Sequence, residues 1–210
     1  MNVLLLILLS LTVLLTTASA QPLSEHTLTN LTFEQRLNAQ LPLDLEFADE
    51  AGRPVKLGQY FGRKPVILTL GYYECPMLCG ITLNGLVQSL LGMKASLGSD
   101  FHAIFVSIDP KETPQLAAAK RENCLKRYGR ASAAAGWHFL TGREPQIRSL
   151  ADTVGFQYAY DASIRQYAHP SGIVILTPQG KVARYFFGVT YPPEELNAAL
   201  LQAAAEKTGS

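Results

Sequence analysis

Residues 65–70 form an almost continuous apolar run, the pattern of a strand buried on both faces. A second such run covers residues 101–108. Between them, from Ile81 to about Leu97, Leu83, Leu86, Val87, Leu90, Leu91 and Met93 recur at helical spacing, and Gly98 supplies a natural stop. Buried strand, helix and buried strand in that order predict a right-handed parallel unit.

The flanking segments extend the same pattern. Residues 43–47 and 54–57 read as two short strands around the turn Asp49-Glu50-Ala51-Gly52, an N-terminal β-hairpin. Thr113-Pro114 opens a helix to about Tyr128, with Thr as cap and Pro in the first turn. Residues 137–140 read as a strand, 144–154 as a helix and 156–160 as a short extended segment. Strands over 172–177 and 182–187 flank the turn Pro178-Gln179-Gly180, and a helix spans 193–207. The fold class is α/β: a central sheet flanked by helices, with an N-terminal hairpin.

The segment Gly71-Tyr72-Tyr73-Glu74-Cys75-Pro76-Met77-Leu78-Cys79-Gly80 directly follows the first buried strand. A cysteine pair there, at the start of a helix, is where a thioredoxin-like fold carries reactive thiols. The spacing is Cys-x-x-x-Cys. On a helix, residues four apart share a face, so the two sulfurs can chelate one ion or close a disulfide. Free N–H groups at a helix start stabilise thiolate, which is both metal ligand and redox nucleophile.

Two thiolates select Cu(I), zinc or iron–sulfur chemistry. Zinc sites and iron–sulfur clusters take mostly four ligands. The third cysteine, Cys124, falls mid-helix and reads as a packing residue. Further ligands are best sought among His26, His102, His138 and His169. His26 belongs to the leader. His102 and His138 begin strands, where a bland surface or edge role is expected. His169 lies in a loop just before a buried strand, at the end of the sheet where it can face the thiols. A Cys2His set of low coordination suits Cu(I) and, with a weak axial ligand, Cu(II). Met77 reads as packing or as an extra soft ligand. Asp109 either supports the site or makes an ordinary Asp-Pro turn. A plain structural disulfide between Cys75 and Cys79 is the competing reading, although so short a loop gains little from closure.

Residues 1–20 stand apart. An uncharged apolar stretch ends in Ala18-Ser19-Ala20, which reads as a signal peptide cut before Gln21, with an uncleaved anchor as the alternative. Residues 21–41 form a polar leader, and residues 42–210 the domain. Export permits disulfides. A net charge of +1 and the lack of any Lys/Arg run argue against nucleic acid and against anionic membrane surfaces. With the signal removed, no strong membrane association is expected.

Over residues 42–205 the sequence resembles the Sco/SenC family, exported thioredoxin-fold proteins that help assemble the copper centre of cytochrome c oxidase. The resemblance rests on the cysteine segment, on Ser107-Ile108-Asp109-Pro110-Lys111-Glu112-Thr113-Pro114, on Trp137-His138-Phe139-Leu140-Thr141-Gly142, and on His169 before the last two strands. It implies one copper ion, Cu(I) or Cu(II), bound by Cys75, Cys79 and His169. It also implies a periplasmic or membrane-face location and a partner that is a copper-carrying oxidase subunit or another copper carrier. The chain departs from the family at Met77, where Asp is frequent, at Gly80, where Pro is frequent, and at Ala168, where Asp commonly precedes the His.

Two functions are therefore expected, in this order. The first is a copper metallochaperone, in which Cys75 and Cys79 also form a redox-active pair. The alternative is an enzyme, a thiol-disulfide oxidoreductase that reduces the cysteines of a copper-site protein and does not need His169. A peroxidase of the same fold is disfavoured, because no Arg lies near the cysteine motif to activate a thiol.

Overall fold

The structure is a computed structural model that describes residues 31–75 and 78–205, with the side chains of Leu78 and Cys79 outside the description. The expected signal peptide, His26 and Met77 lie outside the described residues. Among the described residues, no helix is long and apolar enough to cross a membrane.

The first buried run becomes β3 (Val66–Gly71) and the second becomes β4 (His102–Ser107). They pair in parallel, Val66 opposite His102 through Gly71 opposite Ser107. Every residue of β3 is buried, as its lack of alternation requires. β5 (Trp137–Leu140) pairs in parallel with β4. On the other side, β8 (Gly172–Leu176) runs antiparallel to β3, and β9 (Val182–Phe187) antiparallel to β8. The central sheet is thus mixed, in the order β5-β4-β3-β8-β9. The N-terminal hairpin is β1 (Glu46–Ala48) with β2 (Pro54–Lys56). It is joined to the sheet by an isolated bridge between Ala48 and Thr141.

Four α-helices flank the sheet among the described residues: α1 (Leu78–Gly92), α2 (Pro114–Tyr128), α3 (Glu144–Thr153) and α4 (Pro193–Ala204). α2 packs on β5, α4 on β8 and β9, and α1 touches both α2 and α4. The thioredoxin-like architecture expected from the sequence is therefore present. Trp137, Phe105 and Phe139 form a fully buried aromatic group in its core, with Phe105 and Phe139 stacked at 5.8 Å.

Several boundaries differ from expectation. α1 starts at Leu78 and stops at Gly92, rather than running from residue 81 to 97. A Cβ on Gly92 would lie 2.8 Å from Pro193 Cγ, so the helix gives way where the start of α4 crosses it. Gly98 instead sits in the turn into β4 with φ +88°, its α-carbon facing the Ser132 carbonyl so closely that a Cβ would lie 1.9 Å from that oxygen. Such a site admits only glycine. Thr113 is extended before α2, but its side chain makes no capping hydrogen bond. Pro114 at the first helical position removes one of the N–H groups that would need a cap. The expected extended segment over 156–160 resolves into an isolated Phe33–Phe156 bridge and β6 (Ala159–Asp161). β6 pairs with β7 (Gln166–Ala168), which the sequence pattern did not suggest.

Residues 31–41, the described part of the expected leader, pack on the rest of the fold. Leu41 is buried, Gln40 bridges to Lys181, and Phe33 meets Phe156, Tyr185 and Phe187 edge-on at 5.1–5.7 Å.

Candidate metal centre

The cysteine segment leaves the C-terminal end of β3. The segment containing Asp109 and Glu112 leaves β4 at the same end, because the two strands are parallel and in register from Val66–His102 to Gly71–Ser107. β8 is antiparallel to β3, with Val66 opposite Leu176 and Leu68 opposite Val174. Continuing that register brings the start of β8 to the end of β3. The loop His169-Pro170-Ser171 enters β8 at this point. Three loops from distant parts of the chain thus converge on one end of the sheet.

Cys75 is half-buried, and its N–H donates to the Tyr72 carbonyl at 3.3 Å, forming a turn that closes the segment. Cys79 lies in the first turn of α1. The expectation that this cysteine sits near a helix start is met by the backbone.

His169 is half-buried beside the cysteine segment. Its ring meets Tyr72 at 5.8 Å and Phe156 at 5.7 Å between centroids, and Tyr72 stands three residues before Cys75. The His169 Nδ1 lies 2.7 Å from the Pro170 carbonyl oxygen. A carbonyl only accepts, so this contact calls for the Nδ1–H tautomer and puts the ring lone pair on Nε2, the arrangement of a metal-binding imidazole. The same loop is held from a second direction. Thr82 Oγ1, one turn into α1, lies 2.7 Å from Ser171 Oγ.

Glu112 holds the other side of the segment. It is 7% exposed. Its Oε2 accepts from the Tyr73 N–H at 2.8 Å, its Oε1 from the Glu74 N–H at 2.7 Å, and the Ser107 hydroxyl donates to Oε2 at 2.5 Å. Burial pushes its carboxyl above the usual carboxylate range, against the opposing pull of these hydrogen bonds. Glu112 belongs to the motif Ser107 to Pro114, but its partners lie in another loop, so its own neighbourhood in the sequence gives it no role.

Asp109 makes a local turn, its Oδ1 accepting from the Lys111 N–H at 2.9 Å, which favours the structural reading of that residue. Cys124 is buried in α2, and burial raises its thiol to about 11, so it is an inert packing residue. His102 and His138, for which a surface or edge role is expected, are half-buried, His138 on the edge strand β5. Their rings meet at 5.7 Å, and His138 packs on Tyr60 at 4.3 Å. Both begin parallel strands at the opposite end of the sheet from the cysteines. Burial, aided by His102 and Arg121, lowers His138 to about 4.

Among the described residues, no three His, Cys, Asp or Glu side chains cluster as a metal site. The Cys79 side chain is outside that set. The structure brings His169 to the cysteine segment and places His102 and His138 at the other end of the sheet, while Cys124 lines a cavity together with Gly80 and Leu83. Two thiolates and one imidazole are a donor set suited to copper.

The SCO1/SenC family model matches residues 34–205. Comparison with curated protein sequences returns no significant match. Among solved structures, a putative electron transfer protein from Aquifex aeolicus VF5 superposes with a TM-score of 0.70 at 25% identity, covering 82% of this chain and 96% of its own. Arabidopsis thaliana ScoI with copper bound gives a TM-score of 0.63 at 18% identity, over 81% of this chain and 99% of its own. BsSco, a Sco-family cytochrome c oxidase assembly protein described with a disulfide switch, gives 0.59 at 20% identity, over 84% and 100%. At such identities the last two show the shared fold.

Proposed function

Because the chain belongs to the SCO1/SenC family, we propose that it is an exported copper carrier in which Cys75, Cys79 and His169 hold one copper ion for delivery to an oxidase subunit or another copper-site protein. The observation that carries this reading is the packing of the His169 ring on Tyr72, at the foot of the cysteine segment. An imidazole there supplies the third donor that two thiolates lack. The copper-bound state of the Arabidopsis relative supports the same cargo.

Copper is the cargo here. Cys75 is partly exposed, so a partner's ligand can enter while one thiolate leaves, and the ion passes by stepwise exchange. Exchange with an external disulfide, which is reduced to two thiols, joins the two thiolates as a disulfide and removes both sulfur ligands. Loading is therefore gated by redox state, in keeping with the disulfide switch described for BsSco.

The same pair supports the second reading, a thiol-disulfide oxidoreductase for cysteines of a copper-site protein. The test is copper titration of the reduced protein, followed by its absorption spectrum, beside His169→Ala. One equivalent with a thiolate-to-copper charge-transfer band, weakened by His169→Ala while thiol exchange persists, supports the carrier. No bound metal after reduction, with exchange intact, selects the oxidoreductase.

A further inference from the structure

We propose that Glu112 is a positioning residue for the cysteine pair: by holding the two peptide N–H groups that lead into Cys75, it sets the copper affinity and the disulfide equilibrium of the pair. The copper half of this inference rests on the proposed carrier function; the thiol half stands on either reading.

Glu112 comes from the turn after β4, yet its two carboxylate oxygens each take one of two successive N–H groups in the segment after β3, at 2.8 and 2.7 Å. A carboxylate is the side chain that can do this, because both oxygens accept and neither donates. The arrangement is itself fixed. Ser107, the last residue of β4, donates its hydroxyl to Glu112 Oε2 at 2.5 Å. The Tyr73 side chain is anchored separately, with its hydroxyl donating to the Leu140 carbonyl at 2.7 Å.

Glu74 is thereby clamped by its N–H one residue before Cys75. A peptide plane is rigid, so the two held N–H groups fix the backbone up to the Glu74 α-carbon, and the Cys75 N–H, donating to the Tyr72 carbonyl at 3.3 Å, ties the next plane to the same turn. Cys79 is fixed independently, by the start of α1. The relative placement of the two thiols then depends on the clamp at Glu112, and metal affinity depends on such outer groups when they orient the ligands. A merely structural Glu112 would join two loops and leave both chemical properties of the thiols unchanged.

Glu112→Gln keeps the shape but replaces one accepting oxygen by an N–H2 that faces a peptide N–H. The variant is compared with wild type for Cu(I) affinity by competition with a chelator, and for the Cys75–Cys79 disulfide equilibrium in glutathione buffers. Folding is followed separately by denaturant unfolding. The expected result is a copper affinity at least tenfold weaker and a disulfide equilibrium constant shifted at least fivefold, in protein that still unfolds cooperatively. If Glu112→Gln does not fold, Ser107→Ala loosens the same carboxylate, and a threefold or greater change in either quantity is expected. Values within twofold of wild type in the folded variant overturn the proposal. Should wild type bind no copper, the carrier function fails, and the glutathione equilibrium alone decides the role of Glu112.

Discussion

Thr82 Oγ1 and Ser171 Oγ lie 2.7 Å apart, joining the helix that carries Cys79 to the loop that carries His169. Ser171 is held in turn by donating its hydroxyl to the Gly188 carbonyl at 3.0 Å. Together with the Tyr72–His169 ring contact, it ties the two halves of the proposed site from both ends of the cysteine segment.

Thr82→Val keeps the branched shape and removes the hydroxyl. A neutral hydrogen bond contributes about 1 kcal/mol net, so unfolding in urea should show a loss of about that size. Copper affinity should fall about three- to tenfold, because the His169 loop is less firmly held. A stability loss with unchanged copper affinity would mean that the bond serves the fold alone.

Cys124 should be chemically silent. It is buried, and its thiol is raised to about 11, so little thiolate exists near neutral pH. In the reduced native protein, iodoacetamide should label Cys75 and Cys79 and leave Cys124 largely unmodified until the protein is unfolded. Cys124→Ala should keep the copper stoichiometry and cost about 1 kcal/mol from lost packing. Early labelling of Cys124, read by peptide mass spectrometry, would contradict this.

The His102–His138 pair makes the fold acid-sensitive. His138 is held neutral, its value lowered from 6.5 to about 4 first by burial and then by His102 and Arg121, with Asp49 opposing. The unfolded chain takes up a proton below about 6.5 while the folded chain resists until about 4. More protons are bound by the unfolded state across that window, so stability falls as pH drops through it. The loss should be on the order of 2 kcal/mol. His138→Phe should abolish most of this slope, as read from urea midpoints between pH 7 and 4.5. An unchanged slope would place the acid sensitivity elsewhere.

The sequence made some of this legible, and the reasons are local. The strand Trp137–Leu140 has the ends expected of it, and glycines at 136 and 142 bracket it. The helix Pro114–Tyr128 is legible because Thr113-Pro114 opens it. The strand Gln166–Ala168 carries no alternation, and its partner is a short hairpin strand rather than the core, so periodicity had nothing to detect. The docking of Phe33 and Leu41 depends on residues far along the chain. The site divides in the same way. Cys75 and Cys79 announce themselves by spacing. His169 was one of four histidines until a family resemblance singled it out, since a ligand from another loop leaves no local pattern. Glu112 serves peptide groups 39 and 38 residues away, and nothing in its own neighbourhood reveals that.

The central claim is a three-donor copper site made of Cys75, Cys79 and His169. X-ray absorption of the reduced, copper-loaded protein tests it most directly, with His169→Ala as the control. The account predicts two sulfur donors and one imidazole nitrogen, with the imidazole scattering lost in His169→Ala and the sulfur shell retained. A spectrum without imidazole, or one that His169→Ala leaves unchanged, would contradict it.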